Sequence, residues 1–180
     1  MVKLFLNQIG LTVFGTMLAL ATAKNSSLLL VSSIFSILFF LALNYTVGWE
    51  IGARDKIRID AGRLKAMPLK GFYIALGANI PNLIIAALMG IGIMINTEAS
   101  VSMSLICNAI ARLLNGMYLG AIKILQDALS ADITAVWWWF IVIVLPSLFV
   151  GWLSYLLGTR NFRILSIFGI NPKPSGTTKK

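Results

Sequence analysis

Two asparagines flank a proline within one apolar run of the chain, as Asn79, Pro81 and Asn82. A proline inside a helix removes a backbone donor, kinks the helix and frees a carbonyl group one turn earlier. Interrupted helices with polar side chains at the break often form substrate sites in transporters. The three residues therefore predict a ligand site among helices. The alternative interpretation is a structural kink whose asparagines bond neighbouring helices.

A second polar set lies in the segment 101–126 and recurs near one face of a helix with 3.6 residues per turn. Its candidate ligand-binding members are Asn108, Arg112, Asn115 and the nearby Tyr118. A cation at membrane depth is normally paired or faces water, so this set predicts binding of a small or anionic ligand, opposite the proline-containing run. The alternative is that Arg112 only reaches the headgroups from an interfacial helix.

Enzymatic chemistry has little support in the residue inventory. The chain has no histidine and a single cysteine, Cys107, which excludes histidine-based nucleophilic catalysis and the usual zinc sites. It also lacks a glycine-rich phosphate loop and a G-x-S-x-G motif. We therefore expect a protein without a metal or cofactor that is not an enzyme. A membrane enzyme acting on lipid or phosphate, through Asp55 and Asp60, is the third hypothesis.

The elements that would position these residues are apolar helices. Of the 180 residues, 58% are hydrophobic and 12% are charged, against about 45–50% and 25% in soluble domains. A spanning helix needs about 20 apolar residues, and the runs 4–23, 28–49, 71–95 and 135–157 meet this requirement. The sequence thus predicts an all-α integral membrane protein with four transmembrane helices. The amphipathic helix 101–126 is re-entrant, interfacial or a fifth span. Together they form one domain, 1–170, followed by a flexible basic tail, 171–180.

The net charge of +9 comes largely from clusters between residues 50 and 70 and in the tail. Basic segments stay on the cytoplasmic side of a membrane, so the N-terminus, the loop 50–70 and the tail are predicted to be cytoplasmic, in the cytoplasmic (plasma) membrane. The tail reaches that side only if 101–126 does not cross. Anionic lipid headgroups, rather than nucleic acid, are the expected partners of this charge.

Similar short motifs follow the second and fourth predicted spans. They read Gly52-Ala53-Arg54-Asp55 and Gly158-Thr159-Arg160-Asn161, and they indicate the same sidedness with or without an internal repeat.

The loop 50–70 is also a candidate docking segment. Its residues Arg54, Lys56, Arg58, Arg63 and Lys65 are predicted to contact lipid headgroups or a partner, such as an ATPase or another membrane subunit. Two functional hypotheses result. The first is a non-enzymatic transport component or small transporter that binds a small or anionic ligand among its helices. The alternative is a structural or regulatory subunit of a membrane complex that docks through this loop.

Overall fold

The computed structural model describes residues 2–95, 97–129 and 137–162, and these residues form helices and connecting turns without a strand. The helices are α1 (Val2–Thr22), α2 (Ser26–Asp60), α3 (Lys70–Ile95), α4 (Glu98–Leu114), α5 (Leu119–Leu129), α6 (Trp139–Val142) and α7 (Val144–Thr159). The all-helical prediction is confirmed for this part of the chain. The predicted tail 171–180, residues 163–170 of the predicted domain and residues 135–136 of the fourth predicted span lie outside the described residues.

In the described part of the chain, three helical stretches are long and apolar enough to cross a membrane: Ser26–Asp60, Lys70–Ile95 and Trp139–Thr159. The bent pair of Glu98–Leu114 with Gly116–Ile124 would make a fourth. Helix α1 matches the first predicted span, although its apolar part, Leu6–Thr22, is shorter than these. The hydropathy of the sequence therefore located the apolar helices of the chain.

Helix α2 is longer than the predicted span 28–49 and extends through Asp60, so the first half of the predicted loop is helical. The charged residues there bond one another along the helix. Glu50 pairs with Arg54 at 3.9 Å, and Lys56 pairs with Asp60 at 3.2 Å. Both pairs are four residues apart, a spacing that stabilises a helix. Because of these pairs, a hydrophilic stretch continues the helix instead of ending it.

The ends of α2 are defined by local hydrogen bonds. The Asn25 side chain accepts from the backbone N–H groups of Ser27 and Leu28, which caps the first turn. At the other end, Gly62 adopts a φ of +70°, and the Arg63 N–H bonds the Arg58 carbonyl at 2.9 Å. This is the Schellman arrangement, which favours glycine at the left-handed position. With 35 residues, α2 is about 52 Å long, whereas the hydrocarbon core of a bilayer is about 30 Å thick.

Helices α2 and α7 run parallel, since Asn44 contacts Ser147 and, further along both helices, Gly52 faces Tyr155 and Gly158. Helix α3 runs the opposite way, because its first residue, Lys70, bonds Asp55 near the end of α2. We call the end of the bundle formed by residues 50–70 and 159–162 the basic end. Both glycine–arginine motifs lie at this end.

Close packing joins α2 and α7 through their glycines. A methyl group on Gly52 would lie 3.0 Å from Gly158 Cα and would overlap the Tyr155 carbonyl oxygen. A methyl group on Gly48 would overlap Ser154 Oγ. Small residues on facing helices allow backbones to approach closely, which is a common packing mode for helices in membranes.

The predicted single helix 101–126 is wrong in detail, because the chain bends by 87° between α4 and the segment Gly116–Ile124. Asn115 ends α4, and its side-chain amide bonds the Ala111 carbonyl at 2.9 Å. Gly116 then packs against the backbone of α1 at Thr12, where a side chain would not fit. Helical periodicity continues across such a break, so the pattern of polar residues did not reveal it.

The segment after the break returns toward the end from which α4 came. Helix α4 begins after Thr97, at the end opposite to the basic end, and it reaches Asn115 beside Asn82 in the middle of α3. The Gly120 N–H then bonds Ser33 Oγ at 2.9 Å, near the start of α2. Ser33 lies eleven residues, or about 16 Å, from Asn44 toward the opposite end.

Candidate functional site

Five polar side chains form a hydrogen-bonded chain through the middle of the bundle, which we call the amide relay: Asn44, Ser147, Asn79, Asn82 and Asn115. The amide groups of Asn44 and Asn79 donate to Ser147 Oγ at 3.2 and 3.3 Å. Asn82 donates to Asn79 Oδ1 at 3.3 Å, and Asn115 donates to Asn82 Oδ1 at 3.5 Å. All five side chains are buried. The relay therefore links α2, α3, α7 and the break after α4.

Asn44 is the one relay member with a buried atom that has no hydrogen-bond partner in the described part of the chain, its Oδ1. Buried polar atoms are normally bonded, so an unpartnered oxygen marks a place where another group can bind. Asn44 lines a cavity of about 10 Å³, together with Gln8 of α1 and the relay residues Asn79 and Ser147. This volume suits one water molecule. Among the described residues, this cavity has no room for a larger molecule.

A second cavity of about 10 Å³ continues from Asn44 toward the basic end and reaches Tyr155. The Tyr155 hydroxyl donates to Asp55 Oδ2 at 3.0 Å, and Lys70 Nζ donates to the same oxygen at 2.6 Å. The Asp55 side chain is only 6% exposed, whereas that of Lys70 is 31% exposed. We call these three residues the Asp55 cluster. It joins α2, α3 and α7 at the basic end of the two cavities.

The predicted ligand-binding residues fall into two groups in space. Asn79, Asn82 and Asn115 meet in the amide relay, although they were predicted from two separate segments. Arg112 does not join them, since its Nε donates to Asn108 Oδ1 at 3.2 Å within α4. Arg112 is half-buried and Asn108 is buried. The structure thus brings Asn79, Asn82 and Asn115 together and places Arg112 with Asn108, apart from them.

The other two predicted residues lie near the relay. Helix α3 runs unbroken through Pro81, which is half-buried. Tyr118 is buried in the turn between α4 and α5, and its hydroxyl has no hydrogen-bond partner among the described residues. Neither side chain bonds a relay member.

The break that delivers Asn115 is held by α1. Thr12 Oγ1 donates to the Leu114 carbonyl at 2.6 Å, which satisfies a carbonyl group left free at the end of α4. Gly15 packs directly on the backbone of Met117, which is buried. The polar and small residues of the first apolar run therefore position the broken helix.

Asn44, Ser147, Lys70 and Tyr155 were not among the predicted site residues, whereas Asp55 was named only for the enzyme hypothesis, together with Asp60. Asn44, Gly48, Gly52 and Asp55 recur every three or four residues, so they share one face of α2. All four are buried in the structure. A face of small and polar residues in an apolar helix was the available sequence signal for this part of the site.

The basic residues predicted to contact a partner or lipid lie on the surface of the basic end. Arg54, Arg58, Arg63 and Lys65 are exposed, and Lys56 is half-buried. Within the described residues, no three His, Cys, Asp or Glu side chains group closely enough to hold a metal ion.

No protein-family model, curated protein or solved structure matches this chain. The function is therefore inferred from the geometry of the chain alone.

Proposed function

We propose that the chain is an integral protein of the cytoplasmic membrane and that α1, α2, α3 and the α6–α7 pair each cross this membrane. The lengths of α2, α3 and the α6–α7 pair support this arrangement, and so do the opposite direction of α3 and the parallel directions of α2 and α7. The apolar part of α1, Leu6–Thr22, is shorter. The basic end would face the cytoplasm, because six basic residues lie between 50 and 70, whereas the connection 23–25 at the opposite end carries only Lys24.

In this topology the segment from α4 to α5 is re-entrant. The chain enters at Glu98, turns at Asn115 and is back beside Ser33 by Gly120. Further along, the Trp137 ring packs against Gly90 in the same half of the bundle, before α7 starts its crossing. Backbone that is not helical is tolerated at membrane depth where protein surrounds it, and Gly116, Met117 and Tyr118 are all buried.

The biochemical role we propose is that of a non-enzymatic transport component, or small transporter, which binds a small polar ligand at the amide relay. The observation that carries this proposal is the meeting of five buried polar side chains at a broken helix. Amide and hydroxyl groups suit a neutral ligand with donors and acceptors. An anionic ligand would require Arg112, which bonds Asn108 instead. The relay therefore favours a neutral ligand over the anionic alternative.

Binding in this proposal requires the helices to separate, since the cavity at Asn44 holds no more than one water-sized group. The ligand would then replace the weakest relay contact, the 3.5 Å bond between Asn115 and Asn82. Exchanging one hydrogen bond for another changes the free energy little. The amide relay can therefore open and close without leaving a buried polar group unpaired, which would be costly.

The test is a thermal-unfolding screen of the purified protein with urea, small amides, polyols and small carboxylates. A ligand that binds only the folded state raises the unfolding midpoint. We expect at least one neutral compound to do so, and we expect Asn79→Ala and Asn82→Ala to abolish the shift. Arg112→Ala should preserve it. Thr46→Ala is the matched control, since Thr46 is exposed and bonds only within α2.

The proposal fails if no compound shifts the midpoint, or if folded Asn79→Ala shows the wild-type shift. A carboxylate whose effect disappears in Arg112→Ala would restore the anionic alternative.

A structural or regulatory subunit is the second candidate, and the projecting end of α2 favours it. Residues 50–60 carry exposed ion pairs on a helix long enough to extend beyond the hydrocarbon core. Purification in a mild detergent separates the two candidates. A stoichiometric partner that is lost in an Arg54→Glu/Arg58→Glu variant supports the subunit, whereas a homogeneous protein without a partner removes its basis.

A further inference from the structure

The basic end has more positive charge than its carboxylates neutralise. The three acidic residues between 50 and 70 each pair with one base: Glu50 with Arg54, Asp55 with Lys70, and Asp60 with Lys56. Six basic residues lie in the same stretch. Arg58, Arg63 and Lys65 are thus left without a carboxylate partner among the described residues, and all three are exposed.

These cations lie on the end of α2 and the turn that follows it. The Arg63 N–H bonds the Arg58 carbonyl at 2.9 Å, so the turn at Gly62 folds the chain back against the last turns of the helix. Lys65 follows two residues later in the connection to α3. The three positive groups therefore belong to one turn and the helix end that it caps.

An apolar groove follows directly in the chain after these cations. Its volume is about 280 Å³, and it is lined by Ala66, Met67, Pro68, Leu69, Lys70 and Tyr73. The exposed fractions of Met67, Leu69 and Tyr73 are 62%, 52% and 60%. Clustered apolar side chains of this size on a surface indicate contact with a membrane or a partner.

The depth of the groove distinguishes between these two. From Leu83, near the middle of α3, to Tyr73 is ten residues, or about 15 Å, and to Lys70 about 20 Å. The hydrocarbon core ends about 15 Å from the bilayer centre, and the headgroups extend to about 20–22 Å. If α3 spans the membrane, Tyr73 lies at the boundary between acyl chains and headgroups and Lys70 lies at the outer edge of the headgroups, so the groove lies in the headgroup layer, where lipid surrounds the protein.

We propose that this surface binds one anionic phospholipid, with its phosphate at Arg63 and Lys65 and part of an acyl chain along Met67, Leu69 and Tyr73. Charge complementarity selects an anionic headgroup, and the apolar lining selects a lipid over a free phosphate. The inference rests on the membrane insertion proposed above and adds a defined lipid site to it. Of the five basic residues predicted to contact lipid headgroups or a partner, the site excludes Arg54 and Lys56, because these two are paired with carboxylates.

The experiment compares two variants that remove equal charge. Delipidated full-length protein is titrated with palmitoyl-oleoyl phosphatidylglycerol or phosphatidylcholine, and bound lipid is counted by native mass spectrometry. Each basic residue at an anionic surface contributes about a fivefold gain in affinity. Arg63→Gln/Lys65→Gln should therefore weaken phosphatidylglycerol binding about 25-fold. Arg54→Gln/Lys56→Gln is the matched control and should weaken binding less, because both residues lie on α2, before the turn that leads into the groove.

A third variant tests the groove. Leu69→Ser leaves the charge unchanged and should weaken phosphatidylglycerol binding through loss of the acyl-chain contact. Equal losses in the two charge variants, unchanged binding in Leu69→Ser, or no preference for phosphatidylglycerol over phosphatidylcholine would each overturn the site. So would an acidic protein that co-purifies with the wild type and is lost in Arg63→Gln/Lys65→Gln without a change in lipid affinity.

The same samples separate this inference from the proposed function. Arg63→Gln/Lys65→Gln should remain in the membrane fraction and keep the ligand-induced thermal shift of the amide relay. If the wild-type chain is recovered in the membrane fraction but does not prefer phosphatidylglycerol over phosphatidylcholine, only the lipid site is overturned. Absence of the wild-type chain from the membrane fraction overturns both.

Discussion

Replacing Lys70 with methionine is expected to lower the free energy of unfolding by about 3 kcal/mol. The change keeps the length of the side chain and leaves the buried Asp55 carboxylate with Tyr155 as its only partner among the described residues. Breaking a buried ion pair from one side costs about 3–5 kcal/mol. The lower value applies here because the Lys70 side chain is 31% exposed, and solvent screens its charge. Unfolding by SDS titration from a mild detergent measures this difference.

Lys56→Met is the control for this change, since Lys56 pairs with Asp60, whose side chain is 62% exposed against 6% for that of Asp55. Its effect should stay below about 0.5 kcal/mol. Adding Asp55→Asn to Lys70→Met should recover most of the lost stability, because the buried charge is then removed. Equal effects of Lys70→Met and Lys56→Met, or no recovery in the double variant, would show that the Asp55 cluster does not hold the three helices together.

Gly52→Leu is expected to separate α2 from α7 and to lower stability by at least about 3 kcal/mol. Overpacking a filled contact costs about 1–3 kcal/mol for extra methylenes alone. Here even the first carbon of the side chain would overlap the Tyr155 carbonyl and lie 3.0 Å from Gly158 Cα. Both contacts are with backbone, so a rotamer change cannot relieve them. The SDS unfolding midpoint and the yield of monodisperse protein measure the loss.

Gly10→Leu is the matched control, because a methyl group at Gly10 meets no atom of the described residues within 4 Å. It should not lower the stability, because replacing a glycine inside a helix with leucine favours the helix by about 0.5–1 kcal/mol. If Gly52→Leu does not fold, Gly52→Ala provides the measurable case, with a smaller loss of the same origin. A Gly52→Ala variant as stable as Gly10→Leu would contradict the close packing of α2 on α7.

The apolar helices could be predicted from the sequence because hydropathy is a local property of each run. The extent of α2 could not be predicted from hydropathy, since residues 50–60 are hydrophilic. The i,i+4 spacing of Glu50 with Arg54 and of Lys56 with Asp60 carried the helical signal there. A segment that is too polar to span a membrane can therefore still continue a membrane-spanning helix.

The break after α4 was missed for a different reason. Asn115-Gly116 is a pair that commonly ends helices. What holds the break, however, is Thr12, whose hydroxyl bonds the Leu114 carbonyl from 102 residues away in the sequence. Long-range contacts of this kind leave no periodic pattern in the segment itself.

The candidate site was predictable in part. Asn79 and Asn82 drew attention because Pro81 stands between them, and Asn115 because it follows Arg112 at helical spacing. Asn44 and Ser147 are single polar residues in apolar helices, and their relation to the others depends on the parallel packing of α2 and α7. The amide relay as a whole is thus a product of tertiary structure.

The central claim is that four crossings leave both glycine–arginine motifs on the cytoplasmic side, while α4 and α5 enter the membrane and return to the side from which α4 came. Labelling of introduced cysteines tests this claim most directly. The measurement uses Lys65→Cys, Glu98→Cys, Asp127→Cys and Arg160→Cys in a Cys107→Ser background, with a membrane-impermeant reagent on intact and permeabilised cells. All four positions are exposed. We predict labelling at 98 and 127 in intact cells, and at 65 and 160 only after permeabilisation. Labelling at 127 only after permeabilisation, or at 160 in intact cells, would contradict the account.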